Sequence, residues 1–525
     1  AQVLTGAVAK TISSLYVLVS IERTFFDPVQ FVVAAIFGIG AVLAGAWMPA
    51  NEAARIDPVA ALSLGAHAER SIERATRRSW LAVVVLAAAA LVAWSALTVA
   101  PPVASFVAAF LVLAGFSCFA PGAVRQFGAL ASGGMNGGVL WRLAADNLRR
   151  SLHRNAVTVA ALAAAIAMMV GLTVMIFSFR QTVSAWVEHG IVADLFIAPA
   201  SNETIGLGAA VPEAALDWLR ARPEVASIDT FREFTVPIRI GDAPVTPALL
   251  AVVEGVYRHN LTVVGGNDAQ KMARVFGGGA IAVGEPFARK YRVRTGDRVT
   301  LLTPSGGVPM EIAAVYADYT RDQGVMLMGA ETYARLWGVN PPAQSLSIYL
   351  RPGAAAEPLA EAFTGAFSRA GEFIVYSNRS LRTRIFAIFD QTFAVTYILR
   401  TVAFLVAIAG IFLSVTTLVA ERERDIGVLQ AIGASRGQVQ RLLMIESGMI
   451  GIVSSALGLA SGLALAATLT WIVNPAFFGW SIHLELPWGA LAATPLWIVP
   501  ATLLAAWYPA WRGSQTRIAA AVREE

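Results

Sequence analysis

Three lysines (Lys10, Lys271 and Lys290), five histidines and one cysteine are the whole stock this chain offers for phosphate cradling, metal ligation and thiol chemistry. No lysine follows a glycine, so the Gly-x4-Gly-Lys-Ser/Thr loop that wraps nucleotide phosphates is absent. His67, His153, His189, His259 and His483 are scattered, with no His-Glu-x-x-His and no Cys-His cluster, and each reads as a solvated surface side chain. No Gly-x-Ser-x-Gly nucleophile elbow occurs in residues 180–400. Cys118 lies in an apolar run, where it reads as a packing or lipid-facing residue, and a lone cysteine forms no intramolecular disulfide. No catalytic residue, no metal and no resident cofactor are therefore expected. The glycines read as structural: Gly277-Gly278-Gly279 as a turn, Gly458-x3-Gly462 as a small-residue stripe that lets helices approach closely.

The most patterned polar segment is 421–441. It opens on alternating charges, Glu421, Arg422, Glu423, Arg424 and Asp425. Gly427 follows, and Ile426, Leu429 and Ile432 recur at helical spacing, with Val428 on the neighbouring face. Gly433 is placed to end this helix, and Ser435 to N-cap a second one. A short amphipathic helix of this kind serves as an interfacial anchor, as a docking knob for a partner, or as a solvated loop; the residues alone leave all three open. Glu446 stands just inside the apolar run that follows, as a candidate interface carboxylate or as the partner of a nearby arginine.

The elements that must position these residues are membrane spans. Apolar residues make up 56% of the 525, charged residues 14%, and the mean hydropathy is +0.62, a balance that points to lipid as solvent. Seven stretches are long and apolar enough to cross a bilayer: 29–47, 80–100, 102–121, 156–179, 401–420, 442–473 and 487–509, with a weaker eighth at 1–20. Pro101-Pro102 separates the second from the third as a tight hairpin. Counted alternately, the arginine-rich segments 48–79, 122–155 and 421–441 and the C-terminal tail fall on one side, whereas 101–102 and 474–486 hold no Lys or Arg. The arginine side is thus cytoplasmic, and the net charge of +5 reflects membrane topology rather than a nucleic-acid partner.

Residues 180–400 are then translocated as one mixed α/β domain. The fold class is a polytopic α-helical membrane protein with one large mixed α/β extracytoplasmic domain. Strands are predicted at Val225–Ile240, Ala280–Val283, Val299–Thr303, Met310–Tyr316 and Leu346–Leu350, and helices at Glu285–Tyr291 and Ala356–Ala370. The flanking spans are expected to continue outward as stalks, over Arg180–Glu188 and Phe386–Arg400. No lane of charged residues crosses the spans, which disfavours a hydrophilic channel and suits cargo met at the membrane surface.

The run Arg422 to Ala434, read as Arg-x-x-Asp-Ile-Gly-x-Leu-x-Ala-Ile-Gly-Ala and followed by Gln438-Val439, resembles the signature of the MacB/FtsX-type ABC permease family, with Asp425 at the usual Glu position. Ile281-Ala282-Val283-Gly284-Glu285, Ala288–Tyr291 and Val293–Val299 are similar to that family's extracytoplasmic domain. The resemblance covers about 156–525 as one full unit. It implies that Arg422, Glu423, Arg424, Asp425, Ile426, Gly427, Leu429, Ala431, Ile432, Gly433 and Ala434 form a coupling helix seated on a partner ATPase. Aspartates at Ile426 and Leu429 are expected to release that partner. Glu446 also matches a family position. The implied partners are an ABC ATPase dimer at the cytoplasmic face, which carries the ATP and Mg, together with membrane lipids and a periplasmic protein. The implied activity is mechanotransmission that moves or exports a lipid, lipoprotein, peptide or amphiphile; an FtsX-like regulator of a cell-wall hydrolase, transporting nothing, is the alternative.

Ala46-Trp47-Met48-Pro49-Ala50 recurs as Ala506-Trp507-Tyr508-Pro509-Ala510, each before a short Arg-containing helix, with Pro49 and Pro509 expected to end their spans. Residues 1–62 therefore read as the last spans and cytoplasmic tail of a first unit, in a ten-span branch whose earlier part is not in this chain. A cytoplasmic linker follows at 63–79, a transmembrane hairpin at 80–121, a cytoplasmic loop at 122–155, a span at 156–179, the domain with its stalks at 180–400, and three spans with the coupling segment and tail at 401–525.

Overall fold

The computed structural model describes residues 79–98, 101–133, 138–204, 208–254, 261–264, 269–319, 323–339, 342–367, 372–421 and 423–515, with isolated positions between 28 and 51. The expected first-unit tail, with its span at 29–47, and the linker lie outside the described residues apart from those positions.

α1 (Ser79–Thr98) and α2 (Val103–Ser117) form the predicted hairpin about Pro101-Pro102. Both lack charge, and their large side chains Leu91, Trp94 and Phe110 stay exposed, as suits a lipid-facing wall. Beyond them the expected loop at 122–155 is helical: α3 (Ala120–Gly133) and α4 (Val139–Arg150) are amphipathic. Their small apolar faces, Ala120, Val124, Ala144, Ala145 and Leu148, pack against α5 (Leu152–Gly190) and α13 (Arg436–Thr468). Burying that stripe outweighs leaving the segment irregular.

α5 has 39 residues and α11 (Asn378–Glu421) has 44. At about 1.5 Å per residue each is longer than the roughly 30 Å hydrocarbon layer. α5 packs most closely on α13, where the predicted glycine stripe lies in the seam. A Cβ on Gly458 would sit 2.7 Å from Ile166 Cβ, and one on Gly462 2.6 Å from Val170 Cβ, closer than packed carbons approach. α13 passes through a π-turn (Leu469–Val473) into α14 (Asn474–Phe478), and α15 (Trp488–Ser514) closes the bundle. Pro509 does not end α15: the helix continues through Pro495, Pro500 and Pro509 to Ser514. Inside a bilayer a released carbonyl finds no water, so neighbouring helices hold a proline-containing helix together. α12 (Glu423–Ala431) lies between α11 and α13.

Between α5 and α11 stands the domain, with nine strands among the described residues: β1 (Leu195–Pro199), β2 (Val225–Arg239), β3 (Thr246–Val253), β4 (Ala280–Gly284), β5 (Arg298–Thr303), β6 (Gly306–Tyr316), β7 (Val325–Gly329), β8 (Ser345–Leu350) and β9 (Phe373–Ser377). The long β2 serves two parts. Its first half pairs antiparallel with β8, and its second half with β3. Its last residues meet β5, so β2, β3, β7, β4, β6 and β5 close a ring. Alternate residues of β4 and β7 split between two cores: Ile281, Val283, Met326 and Met328 point into the ring around Phe287. Ala280, Ala282, Val325 and Leu327 face outward under α7 (Ala269–Phe276). That double burial explains why these short strands carry no polar alternation.

The other part joins the start of β2 to β8, β1 and β9, covered by α6 (Glu213–Arg220) and α10 (Ala356–Phe367) through Leu219, Leu359 and Phe363. β1 follows α5 and β9 runs directly into α11, and the two strands pair with each other. The stalks thus enter the domain through adjacent strands. Asn378 Nδ2 clamps them, donating to the carbonyls of Ile191 and Ala193 at 2.9 and 2.8 Å.

Candidate functional site: coupling segment and outer latch

The cytoplasmic candidate is built on α12. Gly433 ends it in the left-handed region (φ 106°), which a side chain rarely tolerates. Ser435 then caps α13 in a reciprocal box: Gln438 N–H donates to Ser435 Oγ at 3.3 Å, and Ser435 N–H to Gln438 Oε1 at 2.8 Å. This two-helix corner is the one expected from the sequence.

The segment has two faces. Ile426, 4% exposed, is buried with Val439, Leu443 and Ala510 of α13 and α15. Gly427 is buried as well, Leu429 and Ala434 are half-buried, and Gln430 Nε2 donates to the Ser514 carbonyl at 3.0 Å. Facing away are Val428 (48% exposed), Ala431, Ile432 (77%) and Gly433. Arg422 lies outside the described residues, and Glu423, Arg424 and Asp425 form the start of α12. An aspartate at Ile426 would therefore break the chain's own core before it reported on docking; the pair that reads the outward face is Val428 and Ile432, one helical turn apart. Glu446 is fully buried in α13, among the bundle helices.

At the opposite side lies a second site that no sequence motif announces. The loop 479–487, between α14 and α15, is pinned from two directions. From the stalk, Ser178 Oγ donates to the Glu485 carbonyl at 2.9 Å and accepts from its N–H at 3.0 Å, and Thr182 Oγ1 accepts from His483 N–H at 3.2 Å. From the domain, α8 (Glu285–Tyr291) presents Glu285, whose Oε2 accepts from Ser481 N–H at 2.9 Å and whose Oε1 accepts from Ser481 Oγ. Arg289 Nη2 bonds Glu285 Oε1 and Ser481 Oγ, each at 2.9 Å, and Tyr319 Oη donates to the Ser481 carbonyl at 2.9 Å. Burial, with help from the neighbouring Glu285 charge, pushes the Tyr319 phenol well above its ordinary value, so it donates rather than ionises. Trp480 stacks among Phe179, Tyr319 and Phe478. The polar pair Ser178 and Thr182, four residues apart at the outer end of an apolar helix, is the one trace of this latch in the sequence. Among the described residues no three His, Cys, Asp or Glu side chains converge as a metal site.

Residues 156–366 match the MacB-like periplasmic core domain, and residues 397–518 match the FtsX-like permease C-terminal domain. The chain belongs to the MacB/FtsX-type ABC transporter permeases. Among similar proteins, an uncharacterized ABC transporter permease of Mycobacterium tuberculosis is 29% identical over 528 residues, covering 99% of this chain and 61% of that protein. The lipoprotein-releasing system transmembrane protein LolC of Haemophilus influenzae is 26% identical over 266 residues, covering 47% of this chain and 64% of that one. The chain thus spans less than two thirds of either relative. The crystal structure of the periplasmic region of MacB from Actinobacillus actinomycetemcomitans aligns with 38% of this chain and 95% of its own, at 10% identity and a TM-score of 0.30. The chain is a multi-pass inner-membrane protein whose large domain lies outside the cytoplasm.

Proposed function

We propose that the chain couples ATP hydrolysis by a separate ATPase dimer to movement of its extracytoplasmic domain, and that this movement expels or hands on a lipid, lipoprotein, peptide or amphiphile. ATP and Mg belong to the partner; this chain contributes the docking face, the stalks and the domain. One observation carries the proposal: the outward apolar pair Val428 and Ile432 sits on a helix locked to α13 and α15 and placed directly after the 44-residue α11. A push on α12 is transmitted along α11, because a continuous helix resists compression, and arrives at β9. The likeness to LolC, the transmembrane protein of a lipoprotein-releasing system, supports a lipid-bearing cargo.

Co-purification with the ATPase is the test. Val428→Asp/Ile432→Asp is expected to lose most of the bound ATPase while the protein keeps its elution volume and helicity, because both side chains face away from its core. Retention of the ATPase by a folded double variant overturns the docking assignment.

A further inference from the structure

Where the domain overhangs the membrane, α8 and the turn after it roof a groove of about 1250 Å³. Its opposite side is apolar: Leu97 and Pro102 at the tip of the α1–α2 hairpin, and Phe477 and Phe478 of α14. Among the described lining residues its roof carries Arg289, Lys290, Arg292 and Arg294 against one carboxylate, Glu285, which Arg289 and Ser481 already engage. Lys290 Nζ donates to Gln323 Oε1 at 2.6 Å. Arg292 and Arg294 are exposed into the groove. Arg292 is also, among the described residues, the non-glycine residue held at positive φ (55°), a conformation that persists only where the surroundings demand it.

Directly below, an apolar furrow of about 460 Å³ runs between the hairpin and α13, lined by Leu86, Ala93, Val112, Ala464, Thr468 and Ile472. Leu97 borders both spaces, so the furrow and the groove are neighbours. The junction lies beside the π-turn Leu469–Val473, a departure from the α-helix that recurs at binding sites.

From this juxtaposition we infer that the groove and furrow together hold one anionic phospholipid of the outer leaflet, its phosphate on Arg292 and Arg294 and an acyl chain in the furrow. Surplus positive charge at the membrane surface selects a phosphate, and guanidinium groups bind it by paired N–H donors. A soluble phosphate would leave the furrow unused; a zwitterionic lipid offers the same phosphate with an ammonium beside it, which leaves the groove's surplus positive charge uncompensated. The inference rests on membrane placement and not on docking at α12, so either proposal stands or falls without the other.

The test is native mass spectrometry of the full chain released from micelles that contain phosphatidylglycerol or phosphatidylcholine with the same acyl chains. One phosphatidylglycerol per chain is expected, held at least about tenfold more tightly than phosphatidylcholine. Arg292→Glu/Arg294→Glu is expected to erase that preference. Arg292→Gly/Arg294→Ala, which suits the left-handed backbone, serves where the charge reversal fails to fold. Ala464→Trp, filling the furrow, is expected to weaken binding without altering the charge preference. Equal binding of the two lipids, or unchanged binding by the folded arginine variants, overturns the inference. Displacement of the lipid by millimolar glycerol phosphate overturns it as well, since that assigns the groove to a small soluble anion.

Discussion

Glu285 and Ser481 lie 196 positions apart in sequence, yet their side chains meet at the membrane surface. The carboxylate is nearly buried and takes the Ser481 N–H and O–H and the Arg289 guanidinium, so removing its charge strands three donors at once. Glu285→Ala is expected to destabilise the latch by about 1–3 kcal/mol, read as accelerated hydrogen exchange at 479–487 with the β-ring amides unchanged. Exchange that is unaltered in the loop refutes the assignment. Tyr319 predicts a pH dependence of definite sign. Its folded pKa is raised, so the contribution of the neutral phenol is complete below the unfolded value near 10 and is lost as pH climbs toward the folded one. Wild type should therefore lose melting temperature above about pH 10 more steeply than Tyr319→Phe, which lacks the titrating group. Parallel curves would contradict this.

Among the elements, the α5–α13 seam and the α13 cap give the sharpest expectations. Gly458→Leu or Gly462→Leu drives a side chain into Ile166 or Val170, and each is expected to cost about 1–3 kcal/mol, seen as a lower unfolding midpoint in detergent. Ser435→Ala removes the reciprocal cap and is expected to cost about 1 kcal/mol by the same measurement. These features were legible because they are local: a glycine every fourth residue, a serine three before a glutamine, a strand–helix–strand run around Glu285–Tyr291. The same holds for β2, β5, β6 and β8, whose β-branched and aromatic runs are long enough to show. β1, β7 and β9 are only five residues each, too short for a period of two to stand out, and β3 carries Pro247 and a run of Ala and Leu that suits a helix equally well. Of the coupling segment the sequence disclosed the helix, the stop and the cap. Which of Ile426, Val428, Leu429 and Ile432 faces outward depended on α15, which follows some 60 residues later and buries Ile426. Ser178 and Glu485, 307 positions apart, show why the latch was silent: long-range hydrogen bonds between single polar side chains leave no periodic signal.

For the molecule as a whole, the domain is fastened through both of its parts. The four-strand part is held by α5 and α11 through β1 and β9, with Asn378 as clamp. The ring is held by the latch at α8. A disulfide between Thr182→Cys and His483→Cys would fix the loop to the stalk, at positions where the native residues already hydrogen-bond at 3.2 Å. Under oxidising conditions ATP hydrolysis by the assembled complex is expected to continue while cargo movement falls to background, and reduction should restore it. Undiminished movement in the crosslinked protein would show that the latch need not change.

Two separate fastenings also restrict the kinds of motion open to the domain. A body carried on one flexible joint can pitch, roll and turn; a second joint leaves it chiefly the swing about the line through both. The stalk strands and Ser481 would define such a line, so that a lengthwise thrust of α11 becomes rotation, as a piston rod turns a crank. Severing the Ser481 joint would leave the thrust intact and its direction lost: the domain would wobble on its stalks, consuming the stroke without a fixed path.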